Sequence, residues 1–257
     1  MMNSISHLNG SSIVATDAEI GHIKEAYFDD RLWVLRYLVV DTGDWLSGRE
    51  VLISPYAVTQ PLGSGKIVDV SLTRAQVKAS PDIDTHKPVS RRQEQELLRH
   101  YAYPVYWEGD GLWAMGALPM LPLPPMETGL AAAAEARHRE RDVPAEDVHL
   151  RSSAAVTGYD IQASDGSIGH VKDFILDDES WAIRYLLVDT RNWWPGGKKV
   201  LLATHWIERI DWAESTVHVK LTREQIRDSP PYQEDSPIDR EYEKRLHAAY
   251  SREGYWA

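Results

Sequence analysis

Apolar and polar positions alternate in short runs along the first third of the chain. Residues 11 to 15, 20 to 29, 33 to 41, 51 to 54 and 66 to 72 are rich in β-branched and aromatic side chains, and turn-forming residues separate them. That pattern predicts the strands of a small antiparallel sheet or barrel. Leu35, Tyr37 and Val39 alternate with Arg36, Leu38 and Val40, so one face carries aromatic bulk and the other a charge at its edge. Such a run reads as a central strand. Asp29-Asp30 marks the hairpin before it, and Asp17-Ala18 a weaker turn before that.

Beyond the strands the period lengthens. Thr73-Arg74-Ala75-Gln76 has the spacing of a capping box and predicts the start of a short helix. After Pro81 a second helix is predicted from Ser90 to Tyr101, with Leu97, Leu98 and Tyr101 on one apolar stripe.

The same succession occurs twice. The segment IVATDAEIGHIKEAYFDDRLWVLRYLVVDTGDW from Ile13 realigns with IQASDGSIGHVKDFILDDESWAIRYLLVDTRNW from Ile161, with about half the positions identical. Asp41-Thr42 returns as Asp189-Thr190, 148 residues later, and one residue is inserted near Gly196-Gly197. Thr222-Arg223-Glu224-Gln225 repeats the capping box, the second helix is predicted from Asp239 to Tyr250, and the copies end at Tyr106-Trp107 and Tyr255-Trp256. Two long units argue for tandem globular domains, each owning a core, rather than a solenoid. We therefore expect a first unit at 1–107, a linker at 108–150 and a second unit at 151–257, paired about a pseudo-two-fold axis. Pro119, Pro122, Pro124 and Pro125 favour extended backbone in the linker, and Ala131 to Arg141 a short helix.

Composition narrows the function. A net charge of −11 repels a phosphate backbone, and no Lys/Arg block offsets it, so nucleic acid is not an expected partner. The absence of Cys removes disulfides, thiolate zinc sites and Cys-held iron–sulfur clusters. Met1 to Gly10 is neither basic nor apolar, and no long apolar stretch occurs, so a cytoplasmic chain without an integral membrane segment is expected.

The motif D-G-x-I-G-x-V-K-D at 165 to 173, then D-D, R-Y-L-L-V-D-T and K-V-L-L, resembles the PRC-barrel family; residues 17 to 41 match it with Ala18 for Gly. The resemblance covers some 60 to 70 residues of each copy. It implies a mainly β fold with short helices (α+β): two small antiparallel PRC-type barrels, each followed by C-terminal helices. It also implies an adaptor module without chemistry of its own, as in the soluble domain of the photosynthetic reaction-centre H subunit or in ribosome maturation factors. The leading expectation is a non-enzymatic scaffold for a protein partner. The alternatives are an accessory role at a photosynthetic or electron-transfer complex, with peripheral membrane association, and a ribosome maturation or RNA-processing adaptor.

No catalytic constellation, cofactor site or metal site is predicted. His22 and His170 recur at equivalent places, yet no acidic or imidazole ligand recurs with them. Asp82, Asp84 and His86 have no counterpart in the second copy, where Pro231, Gln233 and Asp235 stand. Leu62 to Lys66 lacks full phosphate-loop spacing and reads as a hairpin. Asp41 and Asp189 read as strand-ending turn acceptors rather than catalytic acids. Aromatic residues remain. Trp45, Trp193 and Trp194 lie in loops after the Asp-Thr strand, and Tyr106, Trp107, Tyr255 and Trp256 close the copies. All seven are candidate interaction residues, and the closing pairs also suit packing of a helix on its sheet.

Overall fold

The computed structural model describes residues 1–63, 65–85, 88–109, 111–121, 149–191, 193, 196–234 and 236–256. The N-terminal half contains β1 (Met2–Ser4), α1 (Ile5–Leu8), β2 (Ser12–Val14), β3 (Glu19–Asp29), β4 (Val34–Asp41), β5 (Glu50–Ile53), β6 (Ile67–Asp69), α2 (Arg74–Lys78) and α3 (Arg91–His100). The C-terminal half contains β7 (Leu150–Ser152), α4 (Ser153–Val156), β8 (Asp160–Ala163), β9 (Gly166–Asp177), β10 (Ile183–Asp189), β11 (Lys199–Ala203), β12 (Ile207–Asp211), β13 (Thr216–Val219), α5 (Arg223–Asp228) and α6 (Arg240–Ala249). The predicted helix starts hold: Thr73, Ser90 and Thr222 form capping boxes, and Asp239 accepts from the Tyr242 amide. The short helix expected at 131 to 141 lies outside the described residues.

The strands form two sheets, ordered β5-β4-β3-β2-β6 and β11-β10-β9-β8-β13-β12. Neither closes into a barrel, which corrects the sequence expectation. After β5 the chain leaves through the 3-10 turn Pro55–Ala57, touches the sheet at the Val58–Val70 bridge, and returns on the far side as β6. The free flank of β5 is covered instead of paired: the Arg49 guanidinium donates to the carbonyls of Ser80 and Pro81, 2.8 and 2.6 Å away. In the other half, Lys198 donates to the Arg227 and Ser229 carbonyls, and the Tyr232 amide donates to Lys199. Covering an edge this way protects it from foreign strands as closure would.

The halves exchange their leading strands. β1 pairs antiparallel with β9 of the C-terminal half (Met2 with Asp177, Asn3 with Leu176, Ser4 with Ile175). β7 pairs with β3 of the N-terminal half (Leu150 with Asp29, Arg151 with Phe28, Ser152 with Tyr27). Each register is the other displaced by the sequence offset. The exchange is centred on the β3–β4 and β9–β10 hairpins, where Leu35 N donates to Trp181 O at 2.8 Å and Ile183 N donates to Trp33 O at 2.7 Å. Trp33 and Trp181 hold left-handed backbone, φ 54° and 58°. That conformation is uncommon for a bulky residue and persists only where the surroundings enforce it.

The expectation that each unit owns a core is also corrected. The main group of buried apolar residues is continuous from Ile13, Leu38 and Val40 through Ile5 and Phe28 to Phe174, Leu186 and Leu202. A smaller group of Tyr37, Val39, Leu52, Val89, Leu97 and Leu150 lies between β4 and α3. With apolar packing on both faces, β4 is buried from Val34 to Val40. Arg36, read as a charge at a strand edge, is 0% exposed.

Two glycines set how closely the strands approach. A Cβ on Gly21 would lie 2.0 Å from the Asp41 carbonyl oxygen, and one on Gly169 would lie 2.3 Å from that of Asp189. Relieving such overlap requires the ladder to move, so Gly21→Ala and Gly169→Ala are each expected to destabilise by about 1–3 kcal/mol. Urea unfolding checks this, and loss below about 0.5 kcal/mol at both positions would contradict the close approach.

Candidate functional site

Each half buries a carboxylate beneath its last helix. Ser90 caps α3 by accepting from the Gln93 amide, and Leu97 and Leu98 set the buried face. Arg91 and Glu94, three residues apart, therefore turn together toward β4. Glu94 accepts from the Tyr37 hydroxyl at 3.2 Å and from the Tyr106 hydroxyl at 2.5 Å. Arg91 Nη1 lies 3.5 Å from Glu94, and His149 Nε2 lies 3.0 Å from it. Asp29 sits 3.9 Å from Arg36 and 4.0 Å from Arg91. Arg36 stacks on Tyr106 at 3.7 Å and on Trp113 at 4.7 Å, and it donates to the Leu112 carbonyl at 2.6 Å. His149 belongs to the segment leading into β7, so this cluster joins the halves.

The C-terminal half repeats the arrangement around Glu243, which accepts from Tyr185 at 2.8 Å and Tyr255 at 2.9 Å. Arg184 stacks on Tyr255 at 4.1 Å and Arg240 on Trp256 at 4.2 Å, as Arg91 does on Trp107. His247 takes the place beside Tyr185, 3.1 Å away. This second cluster is wetter, since the Arg240 side chain is 49% exposed where that of Arg91 is 5% exposed.

Burial shifts the tyrosines of both clusters, and the His205 and His247 imidazoles, toward their neutral forms. Burial, reinforced by the neighbouring glutamate, pushes the Tyr37 and Tyr106 hydroxyls well above their ordinary range, and burial pushes Tyr255 up to about 12. Burial lowers the His205 and His247 imidazoles, which favours the neutral form. Tyrosine donors pair with glutamate acceptors and the arginines stack on rings, while Arg36 Nε and Nη2 and Arg184 Nε are buried without a hydrogen-bond partner among the described residues.

The exchanged strands carry a matching set of polar contacts. Ser4 and Ser6 donate to Asp173, the second at 2.5 Å, while Ser152 donates to Glu25. Arg151 binds Asp30 at 2.8 Å, and the amino terminus binds Asp178. Trp113, 1% exposed, straps the junction by donating from Nε1 to the Ser180 carbonyl at 2.8 Å. Sequence reasoning missed these residues, because their partners lie in the other half of the chain.

Of the predicted interaction residues, Tyr106 is 2% exposed and is corrected from a surface to a core position, with the helix-packing alternative describing its place. Trp107, Tyr255 and Trp256 are half-buried under α3 or α6 and stacked by arginines. Trp45 is half-buried, donates to the Ile20 carbonyl and carries Arg74 at 4.2 Å from its ring. Trp193 is exposed at 38%, and Trp194 lies outside the described residues. An apolar surface the sequence reading passed over follows Trp113: Met115, Leu118, Met120 and Leu121 are 68, 42, 64 and 46% exposed. Four apolar side chains in a proline-bearing stretch without strand or helix period were the available signal.

The remaining candidates make local contacts. His22 contacts Ser12 and Glu19 on the surface. Asp82 pairs with Arg49, while His86 lies outside the described residues. Lys66 donates to the His7 and Asn9 carbonyls. Among the described residues no group of three or more His, Asp or Glu could hold a metal ion, and no helix is long and apolar enough to cross a membrane.

Asp41 and Asp189 end their strands as expected, accepting from the amides of Gly43 and Arg191 at 2.9 and 3.0 Å. Hydrogen bonds from the Arg191 side chain bring the Asp189 carboxyl down to about 2. A depressed carboxyl stabilises the fold above its ordinary value near 3.8, and the contribution disappears as pH falls toward 2. Asp189→Asn is therefore expected to flatten the loss of stability between about pH 4 and pH 2, measured by chemical unfolding at several pH values.

Comparison with known families matches residues 1–75 to the PRC-barrel domain. The chain therefore contains a PRC-barrel domain over that range, and the domain suggests a non-catalytic scaffold or adaptor role in general. No curated protein matches the chain.

Proposed function

We propose that the chain is a non-enzymatic adaptor in which two PRC-type units, the second at 151–257, interlock into one body that presents apolar surface to a protein partner. The carrying observation is the division of labour among side chains. The ionisable groups of the two buried clusters are engaged with one another across helix, sheet and junction. Among the exposed large apolar side chains described, Met115, Leu118, Met120 and Leu121 fall within one short segment, while Met1, Leu32, Ile67 and Trp193 lie apart in the sequence. An apolar run held out from a rigid body is a feature of contact surfaces. The narrower roles at a photosynthetic complex or in ribosome maturation rest on resemblance alone.

The test is affinity purification from the native cells with wild-type protein and a Leu118→Asp/Met120→Asp variant. Neither side chain is in the core, so thermal stability is expected to stay unchanged while partner recovery falls at least tenfold. Equal recovery by a folded variant would move the contact elsewhere, and substrate turnover by the purified chain would overturn the adaptor reading.

A further inference from the structure

We propose that the strand-exchange junction also serves as a homotypic docking site, whose partner is a second copy of this chain. In that dimer, β7 of each chain pairs with β3 of the other, and β1 of each pairs with β9 of the other. The inference concerns self-association and stands independently of the adaptor reading.

Three observations carry it. First, the two exchanges use one register and equivalent anchors: the Asp178 and Asp30 amides donate to the carbonyls of Met1 and His149, each at 3.0 Å. Second, the contacts across the junction run between the halves themselves, through β1, β7, α1, α4 and the two central hairpins. Nothing in them requires the halves to belong to one chain. Third, residues on both sides of the connection meet at Tyr106. Trp113 lies 6.4 Å from the Tyr106 ring, and His149 Nε2 lies 3.0 Å from the Tyr106 hydroxyl.

The connection therefore acts through local concentration rather than by aiming the strands. Two units on one chain meet at an effective concentration on the order of millimolar, which favours the closed monomer in dilute solution. Exchange between chains becomes competitive as protein concentration approaches that value. Exchange of identical elements between protomers is a low-cost route to a closed two-fold dimer, since no new contact is needed.

A charge-swapped pair tests this with the full chain. Arg151 and Asp30 form a bridge at the rim of the junction, their side chains 27 and 12% exposed, so reversing one charge leaves the core intact. Arg151→Glu in one chain and Asp30→Arg in another each place like charges together, whether the chain closes on itself or pairs with an identical copy. Mixed, each β7 meets its complement only on the other chain. Co-refolding the two variants at 100 µM is expected to give a species of twice 29.2 kDa by light scattering, containing both chains and at least fivefold more abundant than in either variant alone. Two non-exchanging monomers would overturn the proposal. Should the single variants fail to fold, two differently tagged wild-type chains refolded together provide the second reading. A mixed dimer growing with concentration supports exchange, and none up to 1 mM overturns it.

Discussion

Replacing Glu94 by alanine is expected to destabilise the protein by about 3–5 kcal/mol, the range for a buried ion pair deprived of one partner. The carboxylate takes hydrogen bonds from Tyr37 and Tyr106 and lies within 3.5 Å of both Arg91 and His149. Without it, two nearly fully buried guanidinium groups, Arg36 and Arg91, lose a neighbouring carboxylate and are left with Asp29 at 3.9 and 4.0 Å as an anionic neighbour. The comparison with Glu243→Ala sharpens the expectation. Glu243 serves two tyrosines in the same way, but its Arg240 partner is half exposed and can turn to water. That substitution is expected to cost about 1–3 kcal/mol, the desolvation penalty of unpaired hydroxyls. Equilibrium unfolding in guanidinium of both variants decides the matter. Equal losses would mean that burial of the arginines does not govern the first cluster.

Trp113→Ala is the second large effect, about 3–5 kcal/mol for emptying a fully buried indole site. Its ring packs on Tyr56 at 4.9 Å and beneath Arg36, and its Nε1 reaches across to Ser180. The loss should therefore fall on the junction as well as on the N-terminal half. Trp113→Phe keeps much of the ring contact but leaves the Ser180 carbonyl without its donor, and is expected to cost about 1–2 kcal/mol. If alanine at this position cost no more than phenylalanine, the strap would be a hydrogen bond without packing behind it.

Much of the local structure was legible because the responsible interactions are local. Strands β3 and β4 follow from runs of Val, Ile, Leu and Tyr, and α2, α3 and α5 begin within a residue of the predicted caps. Gly21 and Gly169 recur at equivalent places in the two copies, and the Asp41 and Asp189 carbonyls show what they make room for. The exchange was not legible in full. Three-residue strands such as Met2–Ser4 and Leu150–Ser152 are too short to show alternation. Their two acceptors, β3 and β9, also share one pattern, so sequence alone does not say which receives which. Arg36 misled for a related reason. A charge in a strand reads as solvent-facing unless its partners are known, and here they come from Asp29 of β3, Tyr106 and the segment carrying Trp113. Barrel closure failed as an expectation because the edges are sealed by single cations, Arg49 and Lys198, whose reach to helix-end carbonyls has no sequence period.

The central claim is that the two halves form one interlocked body, and the most direct measurement is sedimentation equilibrium of the full chain after a protease site placed between residues 122 and 148 has been cut. Reciprocal exchange with a shared core predicts that both fragments remain together at the mass of the intact chain, 29.2 kDa, at micromolar concentration. Fragments that separate into two bodies of about half that mass would contradict the account.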